Sequence, residues 1–465
     1  MSSLLSNLQG RKYAVLGLGR TGLSIARALK KAKIDVLVWD DHEAALEKAR
    51  KARLDLCNFE NAADFDGVDA LILSPGIPHK YPQPHPIVER ALNKNIPVIS
   101  DIEVLRKIDP ETPLVAITGT NGKSTTTALI GHVLSTQCDT QIGGNIGVPV
   151  MDLKKPKKDG AYVLEMSSYQ LELTPSLKPK VSVLLNITPD HLSRHGGMDG
   201  YIAAKKQIFA SSVDGEKGFA VICIDDEHTV KIAEELRADE NWQVITVAAM
   251  SERAADITVR GGILTDQRAE ITIDLNKNNR MNGVHNHQNA AAAYAALHYG
   301  FDMDEKSFEK AYNKFGGLKH RQFLVRTING VPYINDSKAT NANATARALA
   351  GMKNVYWIVG GQPKEGGLDS LEDYADRIRH AFLIGESVDA FAKWMQLNNI
   401  DYDISHTVDI AVAQAHQMAQ NRRGAPGGAG MVLLSPACAS FDQFTSFEAR
   451  GDHFEELVNA LEENV

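Results

Sequence analysis

Val115-Ala-Ile-Thr-Gly-Thr-Asn-Gly-Lys-Ser-Thr-Thr-Thr-Ala128 decides the fold. Val115, Ala116 and Ile117 read as the end of a buried strand, and Thr125 to Leu134 as a helix. The turn between them carries Gly119, Thr120, Asn121, Gly122, Lys123 and Ser124, with Thr125 opening the helix. Strand, glycine turn and helix together cradle phosphate. Glycines let backbone N–H groups approach, the helix N-terminus offers its positive end, and the lysine neutralises the outer phosphates. The serine hydroxyl suits Mg²⁺. G-x-x-x-x-G-K-[ST] asks for glycine where Ile117 stands, so an ordinary glycine-rich turn is the competing reading. The flanking strand and helix favour an ATP site with Lys123 on the phosphates.

At 465 residues the chain exceeds one core, and about 100–200 residues per domain predicts two to four domains. Hydrophobic content of 43% and charged content of 23% are globular values. A formal charge of −8 without a Lys/Arg stripe argues against a nucleic-acid partner. Cys57, Cys138, Cys223 and Cys438 are scattered, which excludes a zinc spacing and a disulfide framework and indicates a reducing compartment. MSSLLSNLQGRK has no long apolar run, and stretches such as Val181–Leu185 and Met431–Leu434 are too short for a bilayer. The expectation is a soluble cytoplasmic protein with no membrane partner.

In the first segment, strand Lys12–Leu18 runs into Gly17-Leu-Gly-Arg-Thr-Gly22 and a helix through Leu23–Lys31. A second strand, Ile34–Trp39, then ends in Asp40-Asp41. This is the dinucleotide-binding fingerprint. It fits NAD, and equally any ligand that sets a pyrophosphate on a helix N-terminus. Strand Asp69–Leu73 leads to Ser74-Pro-Gly-Ile-Pro78, either a ligand-bearing edge of a parallel sheet or a plain turn, and Ile96–Ile99 closes the segment.

In the middle segment, Gly143-Gly-Asn-Ile-Gly147 precedes strand Ala161–Leu164 and Glu165-Met-Ser-Ser-Tyr-Gln170. A carboxylate at a strand tip beside a phosphate loop suits Mg²⁺. Strand Val181–Leu185 leads to Asn186-Ile-Thr-Pro-Asp-His191-Leu-Ser-Arg-His-Gly196, where His191 is a metal or substrate contact, or merely solvated. Tyr201–Phe209 is helical, and its lysines, Lys205 and Lys206, read as a solvated face. Short strands follow at Phe219–Ile224, Val244–Val247 and Ile271–Ile273. Asn282-Gly-Val-His-Asn286-His-Gln-Asn289 opens a helix over Ala290–Leu297. Its asparagines are caps, or amides that read an adenine edge.

In the last segment His320-Arg321 follows a turn. Strand Val331–Ile334 ends in Asn335-Asp-Ser-Lys338-Ala-Thr340, and Val355–Val359 ends in Gly360-Gly-Gln-Pro-Lys364. His380–Ile384 ends in Gly385-Glu386, and Met431–Leu434 in Ser435-Pro-Ala-Cys-Ala-Ser440-Phe441. Polar clusters at four strand ends predict a parallel α/β sheet with one working edge. Lys338 and Lys364 there suggest an anionic substrate; as surface lysines they would need no explanation.

Thr118-Gly-Thr-Asn-Gly-Lys-Ser-Thr125, Glu165-Met-Ser-Ser-Tyr-Gln-Leu171, Asn186-x-x-x-Asp-His191, Gly283-x-His-Asn-x-x-Asn289, His320-Arg321 and Asp336-Ser-Lys338, taken in order, resemble the Mur ligase family across the whole chain. The resemblance implies an α/β fold of three domains, each on a largely parallel sheet. These are a Rossmann-like domain over 1–102, a P-loop ATPase-like domain over 103–317 and a Rossmann-like domain over 318–465. Asn335–Asn341 and Leu434–Phe444 are similar to the member that joins D-glutamate to UDP-N-acetylmuramoyl-L-alanine. ATP and Mg²⁺, two ions of it, are the implied cofactors, and a monomer is expected.

By the same resemblance, Arg20, Thr21, Ser74, Pro75 and Gly76 would touch the UDP-substrate, with Asn145 and His191 nearer its reacting end. Ser124 and Glu165 would hold one Mg²⁺. Glu165, His191 and a carbamylated Lys205, with Lys206 beside it, would hold the other. Asn286 and Asn289 would meet adenine, Arg321 the phosphates and Asp336 the ribose. Lys338, Thr340, Lys364, Ser440, Phe441 and Phe447 would form the D-glutamate pocket. Lys123, His191, Lys205, Arg321 and Lys338 are the implied catalytic set. The rivals are a folylpolyglutamate synthase-like ligase, against which the N-terminal glycine turn argues, and an NAD-dependent oxidoreductase carrying an ATPase domain, for which Asp40 argues.

Overall fold

Segments two to seven residues long, most of them rich in apolar residues, fold here as the strands of three sheets. The computed structural model describes residues 4–212, 215–363, 366–423 and 430–462.

The first sheet is wholly parallel, in the order β3-β2-β1-β4-β5. Its strands are β1 (Lys12–Leu16), β2 (Asp35–Trp39), β3 (Asp55–Leu56), β4 (Ala70–Leu73) and β5 (Val98–Ile99). Helices α1 (Arg20–Lys31), α2 (Glu43–Lys51) and α3 (Pro86–Asn93) connect them. The strand order reverses between β1 and β4, so the crevice for a ligand opens at their carboxyl ends. The Gly17–Gly22 turn and Ser74 lie there. Gly17 has φ +89°, and a Cβ on Gly22 would stand 1.8 Å from the Gly17 carbonyl oxygen, so neither position accepts a side chain.

α4 (Asp101–Ile108), capped by the Ser100 hydroxyl, leads to the second sheet. That sheet runs β14-β13-β12-β11-β10-β9-β6-β8-β7. Its strands are β6 (Leu114–Thr118), β7 (Thr140–Gly144), β8 (Ala161–Glu165), β9 (Val181–Leu184), β10 (Gly218–Cys223), β11 (Trp242–Ala248), β12 (Ile257–Arg260), β13 (Ile263–Asp266) and β14 (Ile271–Asp274). Its helices are α5 (Lys123–Leu134), α6 (Ser168–Glu172), α7 (Leu192–His195), α8 (Met198–Lys206), α9 (Glu227–Arg237), α10 (Val284–Phe301) and α11 (Glu305–Tyr312). β12 to β14 form an antiparallel meander at one edge. Leu129, Ile130 and Val133 of α5 and the alanines of α10 bury one face, with Val115, Ile117 and Val183 of the sheet. The first two sheets share a continuous apolar cluster that runs from Val15 and Ile25 through Ile102 and Leu105 of α4 to Tyr162, and Met1–Phe315 is one compact unit. The expected boundary at 102/103 falls inside α4.

Gly316–Val465 is a second unit. Its sheet order is β15-β16-β20-β17-β18-β19. The strands are β15 (Phe323–Ile328), β16 (Val331–Asn335), β17 (Val355–Gly360), β18 (Ile378–Ile384), β19 (Tyr402–His406) and β20 (Met431–Leu434), with α12 (Ala342–Ala350), α13 (Val388–Leu397), α14 (Val408–Asn421) and α15 (Phe447–Ala460). Only β15 runs antiparallel to its neighbour among the described residues.

Three local expectations fail. The helix expected from Ala290 begins at Val284, and its cap is Gly283 with φ +97°, so Asn286 and Asn289 sit inside the first two turns and cap nothing. Edge strands β15 and β19 are not among the expected strands; both are mostly half-buried or exposed, and the apolar run of β15 is only Phe323-Leu324-Val325. β7, β12 and β13 were absent too, although Gly261-Gly262, both at positive φ, is a type I′ hairpin signal between the last two. No helix among the described residues is long and apolar enough to cross a membrane.

Candidate active site

β6 ends and α5 begins around Gly119–Ser124, and Gly122 takes the left-handed conformation before Lys123. The first backbone N–H groups of α5 have no intrahelical acceptor, the feature by which helix starts bind anions. The loop is braced from the adjacent segment. Asn186 accepts from Asn121 N at 2.8 Å and donates to Asn121 O at 3.2 Å, while Thr120 N donates to Asn186 O. The Thr120 hydroxyl lies 3.1 Å from the Tyr201 hydroxyl and donates to the Thr188 carbonyl. Asn186 opens the Asn186-x-x-x-Asp-His191 motif of the sequence analysis, which gives it no role in bracing the loop, and Tyr201 appears there only as the start of a helix. A Cβ on Gly122 would stand 2.3 Å from Asn289 Oδ1, so α10 presents Asn289 directly to the loop, with Asn286 one turn earlier. The Asn286 amide donates to Asn282 O.

Lys123 Nζ donates to the carbonyls of Gly119 and Thr120 at 2.7 and 2.8 Å. Lys205 Nζ donates to the same Gly119 oxygen at 2.7 Å. The solvated face predicted for Lys205 is wrong. It is 1% exposed, on the inner side of α8, while Lys206 is half-exposed and pairs with Glu235. Burial pushes the Lys205 pKa well below its ordinary value, aided by Lys123 and opposed by Asp190 and Glu165. Glu165 is buried at the tip of β8; Oε1 accepts from Asn145 Nδ2 at 2.8 Å, and Oε2 has no hydrogen-bond partner. His191, at φ +51°, precedes α7, and its pKa is lowered by partial burial and by Lys123, His195 and Lys205, against Asp190. Ser124 is buried at the second position of α5. Lys205 thus lies within electrostatic reach of Lys123 and Glu165, and His191 within reach of Lys123 and Lys205, beside the loop that carries Ser124. An orphaned carboxylate oxygen, a hydroxyl and an imidazole there form a donor set that fits a hard divalent cation.

At the first sheet, the Ser74 hydroxyl donates to Gly17 O at 2.7 Å, joining the two predicted substrate segments. Arg20 and Thr21 open α1 on its exposed side, and Pro75 and Gly76 follow β4. Asp40 is buried and committed. Oδ2 accepts from Leu18 N at 2.6 Å, and Oδ1 accepts from His42 N at 2.9 Å. The position that would read an NAD ribose is spent within the turn itself.

In the second unit, Asp336 is buried after β16, accepting from the Ser435 hydroxyl at 2.8 Å and Gln322 N at 3.1 Å. Burial raises its pKa to about 7. Arg321 lies close enough to oppose that rise. Lys338 Nζ stands 5.1 Å over the Phe447 ring, which opens α15. Thr340 follows Lys338, Ser440 is buried, and Phe441 is 68% exposed. Lys364 lies outside the described residues. Arg450, unremarked in the sequence, is 1% exposed and ties these walls together, donating to the Ser337 hydroxyl and to the Ser337, Cys438 and Ala439 carbonyls.

Residues 117–297 match the Mur ligase middle domain, and residues 11–100 match the MurD-like N-terminal domain of Mur ligases. The UDP-N-acetylmuramoylalanine--D-glutamate ligase of Paramagnetospirillum magneticum is 46% identical over 458 residues, 98% of this chain and 98% of that protein. The chain belongs to the Mur ligase family. The ligase of the same name from Rhodospirillum rubrum is 45% identical, covering 97% of this Mur ligase and 95% of its own length. In fold it is similar to the UDP-N-acetylmuramate-alanine ligase MurC of Thermotoga maritima, with TM-score 0.59 and 16% identity over 97% of this chain and 99% of that one. It is also similar to MurF of Acinetobacter baumannii, with TM-score 0.56 and 20% identity over 76% of this chain and 79% of that one. ATP use comes with the family.

Proposed function

We propose that this Mur ligase joins D-glutamate to UDP-N-acetylmuramoyl-L-alanine, converting ATP to ADP and phosphate, in the cytoplasm and as a monomer. One observation carries the reaction class. Lys123, the weakly basic Lys205 and the open Glu165 oxygen converge on the phosphate loop, where a nucleotide triphosphate and a second anion must meet. The choice of substrates rests on relatives of that name at 42–46% identity along nearly the whole chain. Three domains, 1–102, 103–317 and 318–465, would bring the UDP-substrate, ATP and D-glutamate respectively.

Ser124, Glu165, His191 and a carbamylated Lys205 would hold two Mg²⁺ ions, which neutralise phosphate charge when bound. The Lys205 amine adds CO₂ by forming an N–C bond and releasing a proton, and it becomes an oxygen donor. Lys123 leaves its loop carbonyls for the γ-phosphate, with Arg321 as the second cation. Holding two anions in line is most of the catalysis in phosphoryl transfer. The substrate carboxylate takes the phosphoryl group, giving an acyl phosphate. The D-glutamate amine attacks it, and the tetrahedral intermediate expels phosphate and leaves the amide. Asn145 and His191 orient the reacting carboxylate; Lys338 and Lys364 pair with the glutamate carboxylates, and Thr340, Ser440, Phe441 and Phe447 shape that pocket. Asn286 and Asn289 meet the adenine, Asp336 the ribose. Arg20, Thr21 and Ser74–Gly76 take the UDP end, and the commitment of Asp40 to Leu18 and His42 favours this over NAD.

Phosphate release from ATP tests the reading. It should require UDP-N-acetylmuramoyl-L-alanine and D-glutamate together. Release supported by L-glutamate or meso-diaminopimelate, or without the UDP-sugar, would reject it.

A further inference from the structure

Glu172, at the carboxyl end of α6, takes no part in the reaction above, yet it gathers three basic groups. Its carboxylate lies 3.2 Å from His195 Nδ1, 3.3 Å from Lys80 Nζ and 3.6 Å from His79 Nε2. The carboxylate is 13% exposed, His79 8% and the His195 side chain fully buried, so solvent does little to screen the two histidine contacts, while Lys80 reaches the carboxylate from the surface at 59% exposure. The partners come from two loops. His79 and Lys80 belong to the segment that follows Ser74-Pro75-Gly76, and His195 ends the short helix that follows His191.

Two further contacts join the same loops. Arg194 donates to Gly76 O at 2.9 Å, its guanidinium 4.6 Å from the Tyr169 ring centre. Gly196, at φ +70°, lies so close to Tyr81 that a Cβ would stand 2.9 Å from the ring. His195 is itself fixed, with Nε2 2.9 Å from the Ser168 hydroxyl and its ring stacked on Tyr169 at 5.1 Å. Ser168, His195 and Glu172 stand in the order of a hydrolytic triad, but Ser168 is 3% exposed within a buried helix start, and no acyl group reaches it. The row therefore holds parts in place.

We propose that Glu172 is a positioning residue that clamps the Ser74–Tyr81 loop to the His191–Gly196 loop, so that a substrate bound at the first sheet presents its carboxylate to the phosphate loop. The inference rests on the reading of Ser74–Gly76 as UDP-substrate contacts. A substrate held at one end by the Gly17–Gly22 turn and reacting at the other must cross between these two sheets, and in-line transfer tolerates errors of only about 1 Å. A carboxylate in contact with side chains from two loops fixes both loops at once.

Glu172→Gln keeps the shape and removes the charge. Expected are a roughly tenfold rise in KM and calorimetric Kd for UDP-N-acetylmuramoyl-L-alanine, a fall in kcat of at least about tenfold from the misaligned carboxylate, and KM values for ATP and D-glutamate within about twofold. His79→Gln should show the same selective rise to a smaller extent, and the double variant should be no worse than Glu172→Gln, because both remove one clamp. If Glu172→Gln does not fold, His79→Gln alone carries the test. Equal substrate affinity in variant and unaltered enzyme, or parallel losses for all three substrates, overturns the clamp. No binding of the UDP-substrate by the unaltered enzyme overturns the substrate reading, and the clamp with it.

Discussion

Lys123 and Lys205 donate to one oxygen, the Gly119 carbonyl, each at 2.7 Å. Two ammonium charges on one carbonyl repel, and burial, with Lys123 beside it, lowers the pKa of Lys205 well below its ordinary value. That shift is what the carbamate proposed for Lys205 requires, since only the neutral amine adds CO₂. Arginine at this position keeps a charge and cannot form a carbamate. Lys205→Arg should lose roughly a hundredfold in kcat, a barrier increase of about 2.7 kcal/mol. With ¹³C-bicarbonate, a carbamate carbon resonance should appear in the unaltered enzyme and be missing from the variant. Turnover near the unaltered level in Lys205→Arg would rule out a carbamate role.

Gly122 is bound by its left-handed φ of +83° and by Asn289, whose Oδ1 a new methyl would meet at 2.3 Å. Gly122→Ala must either distort the turn that aims the α5 N–H groups or push Asn289 from its place. ATP affinity measured by calorimetry should fall at least about tenfold, about 1.4 kcal/mol. Asn289→Ala in the same chain removes the clash but not the backbone cost, so recovery should be partial. Full ATP affinity in Gly122→Ala would mean the loop does not hold phosphate.

The phosphate loop was legible because its signals are local. A buried strand, punctuating glycines and a Lys-Ser helix start all lie within Val115–Ala128. Asn286 and Asn289 were half legible. Their residue type marks caps as well as ligands, and only the backbone of Gly283 decides that α10 starts before them. Lys205 and Lys206 show the same limit. Adjacent lysines look alike in sequence, and the rotation of α8 against the core buries one and exposes the other. Glu172 and Arg450 could not be found at all, since their partners lie far along the chain and converge only when the loops fold. Most strands of the three sheets were legible, β5 and β14 at sheet edges included, whereas β15 and β19 at edges and β12 and β13 inside the second sheet were missed, all four only partly buried.

Glu165 keeps one carboxylate oxygen without a hydrogen-bond donor at 3% exposure, a costly arrangement unless a cation completes it. Glu165→Gln supplies an amide of the same shape and removes the charge. Without Mg²⁺ the variant should melt at the same temperature as the unaltered enzyme or higher. In activity assays its half-saturating Mg²⁺ concentration should rise about tenfold. An unchanged Mg²⁺ requirement would remove Glu165 from the metal site.

Asp336 carries a pH dependence whose sign follows from its burial. A carboxyl with its pKa raised to about 7 holds a proton that the unfolded chain has already lost above its own value near 4. Across that window the folded unit binds the extra proton, so this group's contribution to stability is present below about pH 4 and is lost as pH rises towards 7. At about 1.4 kcal/mol per pH unit, the loss between pH 5 and 7 amounts to roughly 2–3 kcal/mol. Asp336→Asn has no such proton to lose. Relative to the unaltered enzyme, the variant should gain about that much stability in the Gly316–Val465 unit between pH 5 and pH 8. Hydrogen exchange of the β16 and β20 amides, read peptide by peptide on the full chain, measures the gap. A gap that stays constant across these pH values would show that Asp336 ionises in the folded unit as it does in water, against its burial and its bonds to Ser435 and Gln322.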